Sequence, residues 1–138
     1  MCLYTSLCKP RIATADIVCY KTVALPKSNY TKTIRLKGNP DYFRSMFFMQ
    51  DWYIGSTYKV DNFQDTPGAY NTIEHGFHSY IPLQYAINGC GYAYNKVVLK
   101  CIIPKGTRYY KNMDSTEYCS EMLKAVAWRY YDENIWRS

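Results

Sequence analysis

The run KVVLKCIIP, residues 96–104, constrains the fold more than any other segment of this chain. Successive side chains of a strand point to opposite sides, so Val97, Leu99, Cys101 and Ile103 share one face and Val98, Lys100 and Ile102 the other. Pro104-Lys105-Gly106 closes the run in a turn, because proline donates no amide hydrogen and glycine admits positive φ. Other segments read the same way. ADIVCYKTVAL (15–25) is β-branched and aromatic and stops at Pro26 and Ser28-Asn29. TKTIRLKG (31–38) alternates as a half-exposed strand, and IGSTYKV (54–60) reads as a turn at Gly55 with a short strand behind it. In EYCSEMLKAVAWRYY (117–131) the residue types suit a helix, yet Met122, Lys124, Val126 and Trp128 alternate, and we read strand.

Two segments point away from pure sheet. DYFRSMFFMQDWY (41–53) is aromatic-heavy without a clear period and reads as a loop or short helix over the core. Ser79 is placed to cap a helix that runs through Pro82 and LQYAI to a stop at Asn88-Gly89. The sum predicts one compact α+β domain over 1–138, mainly a curved antiparallel sheet with one or two short helices.

Hydrophobic residues at 48% and charged residues at 20% belong to a folded globular chain rather than a disordered one. The apolar runs are short and broken by lysine, so no membrane span is expected. The start lacks a basic stretch ahead of a long apolar one, so it is not read as a signal peptide, and the expected location is cytoplasmic, in the cytosol of a bacterial host. Six cysteines stand at 2, 8, 19, 90, 101 and 119, none in a CxxC pair, and reduced thiols are expected. His75, His78 and Cys90 are the Cys/His grouping closest in sequence to a metal set, but no metal and no cofactor is assigned.

Charge is segregated. Net charge is +6, and residues 1–40 carry seven Lys/Arg against one acid, while 96–111 carry five basic groups and no acid. Such segregation focuses a positive potential on an anionic partner such as a phosphate. Sixteen tyrosines add flat rings with one hydroxyl each, suited to ligand and protein interfaces as well as to strands.

Both histidines lie in IEHGFHSYIP (73–82). If Ser79 opens a helix, its free amides and His78 attract an anion, with His75 beside the glycine turn. Lys105, Arg108 and one of Tyr109 and Tyr110 from IPKGTRYY would complete a cradle for phosphate and ring. Tyr110 is favoured because even positions share the Lys100 face. Ser79, Ser120, Cys90 and Cys119 have no elbow or triad spacing to either histidine, and neither paired carboxylates nor a Gly-rich phosphate loop is present. No catalytic residue is assigned.

Gly-Phe-His at 76–78, IPKGTRYY at 103–110, Cys19-Tyr20-Lys21, Gly55-Ser56-Thr57-Tyr58 and Tyr118-Cys119-Ser120 stand in an order that resembles a family of small uncharacterised domains of bacteria and their phages, over most of 15–126. The arrangement is also remotely similar to ADP-ribosyltransferase-like folds. Those open with a strand carrying Arg or His beside an aromatic, continue with a serine/tyrosine strand over the nicotinamide, and finish with a catalytic glutamate. Lys21 stands where Arg or His is expected, and Glu117 and Glu121 are the late glutamates.

The leading expectation is therefore a small-ligand-binding, phage-related protein. It would hold a phosphorylated nucleotide or nucleotide-derived signal in a basic, tyrosine-lined pocket of Lys21, Tyr58, His75, His78, Lys105, Arg108 and Tyr110. Sequestering a host defence messenger is one role for such a protein, and an aromatic surface would suit a homo-oligomer with pockets at subunit boundaries. The first rival is an NAD-using ADP-ribosyltransferase-like enzyme, with Glu121 as the acid and Lys21 and Tyr58 around the cofactor. The second is a nucleic-acid or protein-interaction module using the basic first forty residues.

Overall fold

The computed structural model describes residues 3–26, 35–46 and 50–138. Twelve strands and one α-helix are formed among them: β1 (Leu3–Tyr4), β2 (Arg11–Ile12), β3 (Ile17–Ala24), β4 (Phe43–Ser45), β5 (Asp51–Trp52), β6 (Thr57–Lys59), β7 (Thr72–Ile73), β8 (Phe77–Tyr80), α1 (Leu83–Cys90), β9 (Lys96–Ile103), β10 (Arg108–Lys111), β11 (Glu117–Ser120) and β12 (Met122–Arg129). One helix of eight residues against this much sheet makes the protein essentially all-β, which corrects the α+β expectation. The cause lies in the aromatic and β-branched segments, which gain more from cross-strand pairing on a half-buried sheet than from an isolated helical turn.

The main sheet runs in the order β2-β10-β11-β8-β3-β9-β12-β6, and each pairing given along it is antiparallel. β9 is central: β3 lies along all eight of its residues on one side, and β12 along the other with a bulge between Ala125 and Ala127. Val97, Leu99, Cys101 and Ile103 are fully buried in the largest core cluster together with Cys19, Val23, Leu123 and Trp128. Val98 is buried on the opposite face, where α1 covers it with Ala86 and Cys90 while Tyr20, Tyr131 and Trp136 close the edges. That double cover explains why β9 reads apolar on both faces.

Several elements differ from expectation. Ser79 caps no helix. It lies inside β8, paired with Tyr118, and α1 begins only after Pro82, whose ring presets φ at −73° and whose missing N–H costs nothing there. The helix also runs past Asn88-Gly89 and stops at Gly91 in the left-handed region, with φ 54°. Within the aromatic segment 41–53, the described residues form a hairpin rather than a loop or helix. Phe43 pairs with Trp52, and both rings are buried, against Trp128 and Phe77 respectively. Of the strand expected at 31–38, residues 31–34 lie outside the described residues, and 35–38 are not in a strand. The segment 117–131 is extended as expected, split into β11 and β12 at Glu121. Among the described residues, no helix is long and apolar enough to cross a membrane.

Candidate functional site

One edge of β3 is filled by β9 from end to end, but its other edge is shared by two strands that diverge. β8 pairs with β3 only at Tyr20↔Tyr80, and β4 pairs only at Val23↔Ser45 and Ala24↔Arg44. Lys21 and Thr22 therefore lie at a fork, with no ladder partner on that side. Two recesses open there. One, of about 250 Å³, is walled by Thr22, Tyr80, Gly89, Lys96 and Glu117. The other, of about 270 Å³, is walled by Trp52, Lys59, Asn62, Glu74, His75 and Phe77. Lys21, Ser45 and His78 line both. Each recess alone falls below the ~300–1,000 Å³ usual for a ligand site, and the two together fall within it.

Lys21 bridges the fork. Its Nζ donates a hydrogen bond to the backbone carbonyl of His78 and sits 5.5 Å from the Trp52 ring centre. Lys21 is partly accessible as a residue, while burial of its ammonium lowers its pKa from the ordinary lysine value. The thiols of Cys101, Cys19 and Cys119 and the carboxyl of Glu117 act in the opposite sense. The same burial raises the thiols: Cys19 is pushed up to about 11 and Cys119 to about 12, so neither is a thiolate nucleophile at neutral pH.

His78 projects from β8 beside β11. Its Nδ1 lies 3.5 Å from Glu117 Oε1 and its Nε2 3.8 Å from Cys119 Sγ. The residue is 8% exposed, and Nδ1 has no hydrogen bond closer than that long carboxylate contact. Buried polar atoms are normally hydrogen-bonded, so this nitrogen is an unmet donor or acceptor at the cleft. Register puts Glu117 opposite Tyr80, and Tyr80 opposite Tyr20, so β11, β8 and β3 align across the fork.

The residues expected to converge separate into two groups. Lys21, His75 and His78 meet at the fork, with His75 Nδ1 3.3 Å from Asn62 Nδ2. Tyr58 stands behind Trp52, 4.7 Å from its ring centre, and its hydroxyl accepts the Tyr53 amide. Lys105 is exposed on the β9–β10 turn, where its amide donates to Asp16. Arg108 binds Glu121 and Asp65, so its charge is already answered. Tyr110 is fully buried in a second cluster with Phe63 and Ile73, and its hydroxyl donates to the carbonyl of Gln64. The cradle of Lys105, Arg108 and Tyr110 around His78 is therefore absent from the fork walls.

Sequence reasoning missed Thr22, Ser45, Trp52, Lys59 and Lys96 as walls, because they come together only through the fork. Glu117 was visible as a late glutamate; it rather than Glu121 lines the cleft, because Glu121 stands between β11 and β12 and is held by Arg108. No group of three or more His, Cys, Asp or Glu is placed to share a metal ion among the described residues. Cys90 is the last residue of α1, its thiol donating to the carbonyl of Ala86 and packed against Val98. In comparison with known proteins, the chain matches no family model, no curated protein and no solved structure.

Proposed function

We propose that the fork cleft holds a phosphorylated small molecule of nucleotide type. The observation that carries this reading is the meeting of Lys21 and His78 between two recesses, each supplied with a second lysine, Lys96 in one and Lys59 in the other. The Lys96 ammonium, with Lys21 and His78 as hydrogen-bonding groups, stands against one glutamate in the first recess, a lining that favours an anionic guest. Phe77 and Tyr80, both half-buried, offer faces for a base or sugar. Tight holding without turnover would suit sequestration of a signalling nucleotide. The test is a melting-temperature panel with NAD, ADP-ribose and cyclic dinucleotides. One ligand at a hundred times its Kd should add about 2.7 kcal/mol, on the order of 10 °C for a chain of this size. No response to any phosphorylated ligand would end the proposal.

A second reading is favoured by the position of Glu117. In an ADP-ribosyltransferase-like enzyme the late glutamate must reach the cofactor. Glu121 is occupied by Arg108, whereas Glu117 lines the cleft two strands from Lys21. Product release from NAD that is lost in Glu117→Gln and kept in Glu121→Gln would move the protein from binder to enzyme.

A further inference from the structure

We propose that Lys21 is a carbonyl-capturing amine, whose Nζ forms an imine with a phosphorylated aldehyde such as the open-chain reducing end of a ribose phosphate. The inference rests on the ligand reading above and narrows its guest to a reactive class.

Geometry carries it. Lys21 is central: it lines both recesses, and its Nζ lies against His78 O and the Trp52 ring between them. Its hydrogen bond goes to a neutral carbonyl, and among the described residues no carboxylate lies within ion-pair distance of it. Buried charges are normally paired, and an unpaired buried amine relieves the cost by releasing its proton. Once deprotonated, the amine can donate one N–H to His78 O and keep its lone pair for a guest, which is how buried lysines come to serve in imine chemistry. Burial works in this direction, against Cys19, Cys101, Cys119 and Glu117, which face the same nitrogen. His78 and Glu117, in contact with one another, stand beside it as the proton carrier.

The step balances without a co-reactant. The Nζ lone pair adds to the carbonyl carbon while the C=O pair moves onto oxygen, and one proton passes from nitrogen to that oxygen, giving a carbinolamine. Its hydroxyl takes a proton from the His78–Glu117 pair and leaves as water as the C=N bond closes. The proton shed by nitrogen returns to the same pair. Amine and aldehyde become imine and water, with no change of oxidation state, and hydrolysis reverses it.

Wild-type protein incubated with pyridoxal 5′-phosphate at neutral pH, reduced with cyanoborohydride and mapped by peptide mass spectrometry, tests this directly. The adduct should concentrate on Lys21, with about tenfold or more lower labelling by unphosphorylated pyridoxal. Labelling spread over exposed lysines such as Lys37 and Lys105, with Lys21 untouched, would overturn it. A parallel melting scan with ribose 5-phosphate separates the two claims. A rise without trapping at Lys21 keeps the ligand site and overturns the imine; neither rise nor trapping overturns both.

Discussion

Lys21 carries an electrostatic cost of this fold, since burial disfavours its charged form. It sits on the inward face of β3 beside Cys19 and Val23, where an apolar residue would pack without penalty. Its lowered pKa in the folded state, set against ~10.4 in the unfolded chain, gives the sign of the pH effect. The unfolded state binds more protons between the two values, so stability rises with pH across that window and is lost as pH falls through the folded value. Lys21→Met removes this dependence. Its melting temperature should exceed that of the wild type at neutral pH, with the advantage fading toward pH 10. A difference that stays constant from pH 7 to pH 10 would contradict the assignment of a strained amine.

At the scale of elements, the cleft depends on how closely α1 approaches β3. A Cβ at Gly89 would lie 2.3 Å from Thr22 Oγ1 and 3.2 Å from Thr22 Cβ, and that hydroxyl already donates to Ala86 O. Alanine would gain about 1 kcal/mol of helix propensity, but overpacking costs about 1–3 kcal/mol and the Thr22 hydrogen bond is strained with it. Gly89→Ala should therefore lower stability by about 1 kcal/mol in denaturant melts, and narrow the recess that Gly89 lines. A stabilised variant would show that α1 is free to shift. Much of the element pattern was legible in the sequence. β9 and β3 announce themselves through period and composition, and the alternation of Met122, Lys124, Val126 and Trp128 outweighs helical residue types. The hairpin of β4 and β5 was not legible, because Phe43 and Trp52 are paired by tertiary partners, Trp128 and Phe77, that no local window contains. Ser79 misled for a similar reason. It has the chemistry of a helix cap, but pairing with Tyr118 and neighbours on both sides of β8 decides for strand.

Across the whole molecule, the candidate cleft is placed by the divergence of two strands from one edge of β3. Lys21, His75 and His78, named as candidates from the sequence, are brought to one recess. Arg108 and Tyr110 were legible too, yet their chemistry is spent inside the fold: on Glu121, which is 15% exposed, and on the carbonyl of Gln64. Asp65, at 84% exposed, adds little to that clamp. A motif reader sees free polar groups where the structure has paired ones, since pairing partners lie 13 to 46 residues away. The most direct test is a titration of isotope-labelled protein with ADP-ribose, followed in amide correlation spectra. The fork account predicts that the largest shifts fall on Lys21, Thr22, His78, Ser79 and Lys96, with 105–110 unmoved. Shifts centred on Lys105–Tyr110, or none at saturating ligand, would contradict it.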